Sequence, residues 1–234
     1  MSALEAIVPD LARGTCGNGD LLRSLFPAGC TVAFRTEPGN TADLCESEAA
    51  CIEGARAERR TEFATGRACV RQAFRAAGLP PYAIPSDNRR APVWPHGVAG
   101  SISHCPGLCV AVIAPRLASR AVGVDVETVA PLGEILREVV ALPAERPGLA
   151  RLRGRISADP YKLLFVIKEA LFKFYFPTTR HFLDFRHARV CIDPADRAFE
   201  AEIVDPAAPP LAGLRRFSGR FALTDRHIMA GLAL

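Results

Sequence analysis

Two stretches of this chain carry residue types whose spacing suits phosphate chemistry. In "AVGVDVE", residues 121–127, the strand period of two sends Val122, Val124 and Val126 to one face and Gly123, Asp125 and Glu127 to the other. At about 3.3 Å per residue the two acidic Cα atoms stand roughly 6.6 Å apart, from which both carboxylates can converge on one cation. Water-facing acids on an edge strand would have the same pattern. Apposed carboxylates repel unless a cation lies between them, however, and the opposite face is uniformly Val. In "LFVIKEALFKFYFP", residues 163–176, Glu169 and Lys173 lie four apart and project from one helix face, with Lys168 one step round. The neighbouring Leu163, Leu164, Ile167, Leu171, Phe172, Phe174 and Phe176 leave little polar face, so these charges are expected to look into a cleft. Three acids and two lysines fit a magnesium ion holding a diphosphate.

The basic residues are unevenly divided. The chain has 26 Arg and three Lys, and Lys162, Lys168 and Lys173 all fall within one 12-residue segment. A compact ammonium suits a phosphate oxygen in a crowded site where the planar guanidinium would not fit; chance clustering gives the same pattern. A formal net charge of +4 offers little general attraction to nucleic acid. With 234 residues, 49% hydrophobic and 23% charged, the chain can bury a core as one large domain or two small ones. Its opening "MSALEAIVPDLARG" lacks the basic start and apolar run of an export signal, and no stretch approaches the roughly 18 apolar residues of a membrane span. A cytoplasmic protein is expected, with its eight cysteines reduced. In "SHCPGLC" His104, Cys105 and Cys109 lack the fourth ligand of a metal-thiolate site.

The elements that would position these residues follow an α+β pattern. From Ser47 to Gly78 the abundance of Ala, Glu and Arg and the absence of Pro predict one long helix, capped by Gly78 and stopped by Pro80-Pro81. At about 100° per residue Phe63, Val70, Phe74 and Ala77 share a face, with Arg56, Arg60, Arg67 and Arg71 in an arc beside it. That basic stripe is either a solvated face or one that meets an anion. A Pro-rich loop, "LPPYAIPSDNRRAPVWPHG", leads to a hairpin of "GSISH" and "LCVAVIA" turned by "CPG", and "AVGVDVE" closes the first half. After one short helix in "PLGEILREVVALPAER" and a basic, irregular connector, "RLRGRISADP", the lysine-bearing helix follows. Four strands, in "ARVCI", "FEAEIV", "RRFSGRFAL" and "HIMAGLAL", complete the chain. Helix followed by short antiparallel strands occurs twice.

"GVDVE" followed about 40 residues later by "KEALFK", and preceded by "WPHGVAGSISHC", resembles the 4'-phosphopantetheinyl transferases of the surfactin type, in particular the enterobactin synthase component D branch. "RRTEFATGRACVR" at 59–71 and "LPAER" at 142–146 extend the resemblance over residues 45–185. Each motif is weak alone; their order and spacing are specific. The resemblance implies a pseudo-dimer of two similar subdomains, each a short antiparallel sheet packed with a long helix, divided at 1–122 and 123–234 with the active site in the cleft between them. It implies transfer of the 4'-phosphopantetheine arm of coenzyme A to a serine of an acyl, aryl or peptidyl carrier protein, releasing adenosine 3',5'-bisphosphate. A monomer without nucleic-acid partners is expected.

Residue by residue, the resemblance implies Mg²⁺, or Mn²⁺ in its place, on Asp125, Glu127 and Glu169, with Lys168 and Lys173 on the diphosphate. Ser103 and His104 match positions around the adenine nucleotide, His104 on the 3'-phosphate; by residue type alone His104 reads as a buried core histidine. Arg59 and Arg67 match positions that neutralise the same phosphate, and Phe182 and Leu183 in "RHFLDF" positions that line the pantetheine channel. Ser86 stands where many relatives carry Lys, with Arg89 and Arg90 the candidates to replace that charge. Glu169 and Lys173 are the expected catalytic pair, Glu169 as ligand, base or both. A basic surface for an acidic carrier is sought at Arg151, Arg153, Arg155 and Arg180. A magnesium-dependent hydrolase of a nucleotide diphosphate would use the same acids and lysines, and a nucleic-acid module the arginine stripe alone.

Overall fold

The period-two stretches form strands throughout, and a computed structural model describes them within residues 18–234. The reading of "MSALEAIVPDLARG" lies outside the described residues. The chain enters through α1 (Asn18–Ser24), β1 (Thr31–Arg35), α2 (Glu46–Ala49) and α3 (Ala57–Ala76). The strands β2 (Val98–Cys105), β3 (Leu108–Pro115) and β4 (Val122–Thr128) come next, then α4 (Glu134–Val140), α5 (Arg146–Leu152) and α6 (Pro160–Thr179). It ends in β5 (Ala188–Asp193), β6 (Ala198–Ile203), β7 (Arg216–Leu223) and β8 (His227–Ala233). The class is α+β, with two wholly antiparallel sheets of order β1-β3-β2 and β4-β8-β7-β6-β5. No helix of the described residues is long and apolar enough to cross a membrane.

Each long helix covers one sheet. Cys69, Val70, Ala73 and Phe74 of α3 pack on Ala33, Cys109, Ala111 and Ile113, while Leu163, Ile167, Leu171 and Phe174 of α6 pack on Phe221, Ile228, Ala230 and Leu232. A third cluster joins them: Val110 and Val112, on the other face of β3, meet Val122, Val124, Val126 and Met229. Burial of β3 on both faces explains why its sequence is a continuous apolar run rather than an alternation. The helix α6 starts on an Asp159 cap, whose side chain accepts from Tyr161 N, and stops at Arg180, held in the left-handed region at φ 59.

The two sheets meet edge to edge at β2 and β4, which share no backbone ladder. Instead Val124 N donates to Ser101 Oγ at 3.1 Å and Val126 N to Ser103 Oγ at 3.2 Å. Two serines at period two thus supply acceptors for a neighbour's amides at the same period, satisfying edge groups that burial would leave costly. On the other side of β4, a Cβ at Gly123 would overlap Ala170 O and come within 2.5 Å of Phe174 Cβ. Only glycine lets α6 lie so close to the acid-bearing face of the strand.

Four expectations change. The helix expected from Ser47 to Gly78 is interrupted: α2 and a 3₁₀ turn, Ala50–Ile52, precede a bend at Gly54 (φ 71), and α3 begins only at Ala57. The bend turns Glu48 inward, where its bonds outweigh the helix propensity of the segment. Ala77, at the end of α3, is exposed rather than part of the buried face. β4 hydrogen-bonds to β8, so it belongs to the second sheet rather than closing the first. A second short helix, α5, runs into the first two residues of the basic connector, with Pro147 in its first turn and Leu149 and Leu152 buried.

Replacing Gly123 by Ala is expected to cost about 3 kcal/mol of stability by overpacking against α6, read as a lower urea midpoint. An unchanged midpoint would mean that α6 and β4 are not in this close contact.

Candidate active site

A cavity of about 390 Å³ lies where α3, β2, the 79–97 loop, β4 and α6 converge. Asp125, Glu127 and Glu169 line it together with Lys173, Ser103, His104, Arg59, Arg67, Arg89 and Arg90. Its apolar wall includes Phe63, Trp94, Phe165, Phe172 and Phe176. A hollow of about 470 Å³ between α5 and the sheet edge at β5 is larger, and Arg151, Arg155, Arg189 and Arg216 line it. It contains none of the acids and lysines singled out for chemistry, so size does not pick the site here.

At the floor, Ser103 Oγ donates to Asp125 Oδ1 at 2.7 Å and accepts from Lys173 Nζ at 2.9 Å, besides the amide of Val126. Lys173 Nζ also donates to Asp125 Oδ1 at 2.6 Å. The hydroxyl's proton and both lone pairs are therefore in use. Among the described residues the buried Asp125 Oδ2 has no hydrogen-bond partner, although an orphaned carboxylate oxygen is expensive. Burial raises the Asp125 carboxyl above its ordinary range, with Lys173 opposing. Glu127 accepts from Lys162 Nζ at 2.9 Å, and that ammonium lies 5.1 Å from the Phe165 ring centroid. The Glu169 carboxylate makes no hydrogen bond or ion pair among the described residues, and burial, then Asp125, raises its pKa while Lys173 opposes. Among the described residues no group of three or more His, Cys, Asp or Glu side chains is arranged as a metal site. Two of the three acids are instead countered by lysines.

The opposite wall is basic. Arg67 is 6% exposed; its Nε donates to Ile84 O at 2.8 Å and its Nη2 to Ser86 Oγ at 3.0 Å. The Ser86 hydroxyl thus accepts from the buried guanidinium. Arg59 is exposed and pairs with Glu62 at 3.3 Å, and His104 Nε2 stands 3.8 Å from the same carboxylate. Burial lowers the His104 pKa, with Glu62 opposing and Lys173 and Arg59 adding to the fall, so the ring is neutral at pH 7 and that contact is no ion pair. Arg89 and Arg90 are exposed. Their loop is fastened to the end of α6 by Arg180 Nη2 to Asp87 Oδ2 at 2.6 Å and Arg89 Nη1 to Arg180 O at 3.1 Å.

Three expected site residues lie elsewhere. Lys168 points to the far side of α6, where its ammonium donates to Val140 O and Glu145 Oε2 at 2.8 Å and to Phe185 O at 2.9 Å. All three of its protons are in use, and it does not line the cavity. Leu183 is packed in the core of the second sheet, and Phe182, 64% exposed, stands edge-on to Phe172 outside the cavity lining. Lys162 and Glu62 contribute although neither was assigned a role. The rarity of Lys was the available signal for the first; nothing local marks the second.

Residues 47–114 match the 4'-phosphopantetheinyl transferase N-terminal domain, and residues 121–222 match the 4'-phosphopantetheinyl transferase superfamily. The chain is 35% identical over 221 residues to the 4'-phosphopantetheinyl transferase Svp of Streptomyces mobaraensis, covering 92% of this chain and 89% of Svp. It is 32% identical over 222 residues to the 4'-phosphopantetheinyl transferase Npt of Nocardia iowensis, covering 91% of this chain and 99% of Npt. Identity to enterobactin synthase component D of Escherichia coli O157:H7 is 33% over 160 residues, 64% of this chain and 73% of that protein.

Two outcomes follow from the charges. Lys168→Met is expected to cost about 3 to 5 kcal/mol in a denaturant titration, because Glu145 is left buried without its cation, and Glu145→Gln added to it should recover part. A variant of native stability that loses only activity would show instead that Lys168 works on a substrate. For His104, the unfolded chain takes up a proton at about pH 6.5 while the folded ring resists. Stability should therefore fall as pH drops below that value, and His104→Gln should flatten the slope in melts at pH 5 to 7.

Proposed function

The chain belongs to the 4'-phosphopantetheinyl transferase superfamily, and on that premise we propose that it transfers the 4'-phosphopantetheine arm of coenzyme A to a serine of an acyl, aryl or peptidyl carrier protein, with Mg²⁺, releasing adenosine 3',5'-bisphosphate. The observation that carries the reading is the orphaned Oδ2 of Asp125, beside Glu127, Glu169 and Lys173 in one cavity. Its two halves are read as residues 1–122 and 123–234, a pseudo-dimer in which α3 and α6 occupy corresponding places. The protein is read as a cytoplasmic monomer.

Hard carboxylate oxygens and a buried oxygen lacking a partner suit a hard divalent cation, Mg²⁺ or Mn²⁺, which Asp125, Glu127 and Glu169 would hold. Bound there, it would supply neutralisation of the diphosphate charge. Lys173 stands at the same acids and donates to a diphosphate oxygen, adding positive charge where the leaving phosphate gains negative charge. Arg59, Arg67 and His104 receive the nucleotide end, Arg67 and His104 at the 3'-phosphate, and Arg89 and Arg90 give the loop its charge. The carrier's serine oxygen attacks the β-phosphorus in line: the new O–P bond forms as the bond to the bridging oxygen breaks, and the bisphosphate leaves with the electron pair. Glu169, a carboxylate beside both the cation and the incoming hydroxyl, accepts the serine proton. Phe165, Phe172 and Phe176 exclude water from the arm.

Incubation with coenzyme A, Mg²⁺ and apo-carrier proteins is expected to add the arm, read by intact mass spectrometry. Asp125→Ala and Glu169→Ala should each lower the rate at least about 100-fold without unfolding the chain. A fully active double variant overturns this site assignment, and bisphosphate released without any carrier would make the protein a hydrolase.

A further inference from the structure

Another buried carboxylate, remote from the acid cluster, grips the loop on the basic side of the cavity. Glu48 of α2 is fully buried, at 0% exposure. Its Oε1 accepts from Ile84 N at 2.8 Å, and its Oε2 accepts from Cys45 N at 3.1 Å and Arg71 Nη1 at 3.0 Å. The carbonyl of the same Ile84 accepts from Arg67 Nε. One loop residue is therefore held through both backbone groups by buried charges of opposite sign, from α2 and α3. Two positions on, Ser86 accepts from Arg67 Nη2, and its amide donates to Cys51 Sγ at 3.2 Å. The Arg67 guanidinium also lies 3.6 Å above the Phe63 ring, which fixes its plane. Its Nη1 makes no hydrogen bond among the described residues, and the residue lines the cavity.

We propose that Glu48 is a positioning residue for nucleotide recognition: by fixing Ile84 it fixes the Arg67 guanidinium, so that Nη1 is presented to the 3'-phosphate of coenzyme A. The inference rests on the reading of this cavity as the coenzyme A site. A buried carboxylate is tolerated only when its oxygens are hydrogen-bonded, and three donors between them serve both of these. Without Glu48 the Ile84 amide is orphaned, the loop relaxes toward solvent, and Arg67 loses the carbonyl that anchors Nε. A guanidinium already held in place gives up less freedom when phosphate binds, so the gain appears as affinity for that phosphate and nothing else on the ligand.

The test compares calorimetric binding of coenzyme A with binding of its 3'-dephospho form, each to the wild-type chain, Glu48→Ala and Glu48→Gln. The wild type is expected to prefer coenzyme A. In Glu48→Ala that preference should shrink about tenfold while affinity for the dephospho form stays within about twofold. Glu48→Gln keeps an acceptor for the Ile84 amide and should retain an intermediate preference; it carries the test if Glu48→Ala does not fold. An equal loss for both ligands, an unchanged preference in a folded Glu48→Gln and Glu48→Ala pair, or a wild type that does not distinguish the ligands overturns the proposal. Binding is read without a carrier, so failure of transfer to any carrier leaves this outcome separately legible.

Discussion

Everything in the cavity depends on how two sheet edges meet. β2 and β4 run alongside each other without a ladder, and the amides of Val124 and Val126 find their acceptors in the hydroxyls of Ser101 and Ser103. A backbone ladder would have merged the sheets into one continuous surface. Side-chain bridging keeps them distinct while bringing β4 within reach of β2, and leaves the Asp125 face open to a third element. Ser103 connects the seam to the acids, since the hydroxyl that receives Val126 also donates to Asp125 and accepts from Lys173.

The third element is α6, which Gly123 admits to close contact with β4. Its three lysines illustrate how a shared residue type acquires different work from its surroundings. Lys173 and Lys162 face the strand acids and counter Asp125 and Glu127. Lys168, on the opposite side, meets a buried Glu145 that also accepts from the amides of Leu142 and Val190. Burial pulls its pKa down and Glu145 resists. That pair ties α6 to the segment after α4, to the start of α5 and to β5, fixing the height and rotation of the helix that carries Glu169.

Local pattern was a good guide where one force dominates. Burial alternates along β5, β6 and β7 because one face of each is covered, and "CPG" marks the hairpin because Gly107 adopts φ 80 at its turn. It failed between residues 47 and 56, where a helix-forming composition is bent so that Glu48 can reach Ile84 and Arg71. No short-range signal announces partners 23 and 36 residues away. Phe182 and Leu183 part company for a related reason. An aromatic and a leucine after a helix suit a channel as well as a core, and only packing decides that Leu183 turns inward and Phe182 outward.

From the amino-acid order alone came the class of chemistry: two acids at strand period, an acid and a lysine at helical period, and a family pattern spread over both. These depend on side-chain type and local repeat, which one-dimensional spacing fully specifies. Tertiary structure alone decided which lysine meets which acid, that Asp125 keeps one oxygen without a partner among the described residues, and that Glu48 holds the loop beneath Arg67. Those outcomes are set by burial and by contacts between distant segments, where an uncompensated charge is costly and a paired one is tolerated, and neither burial nor pairing is written in local spacing.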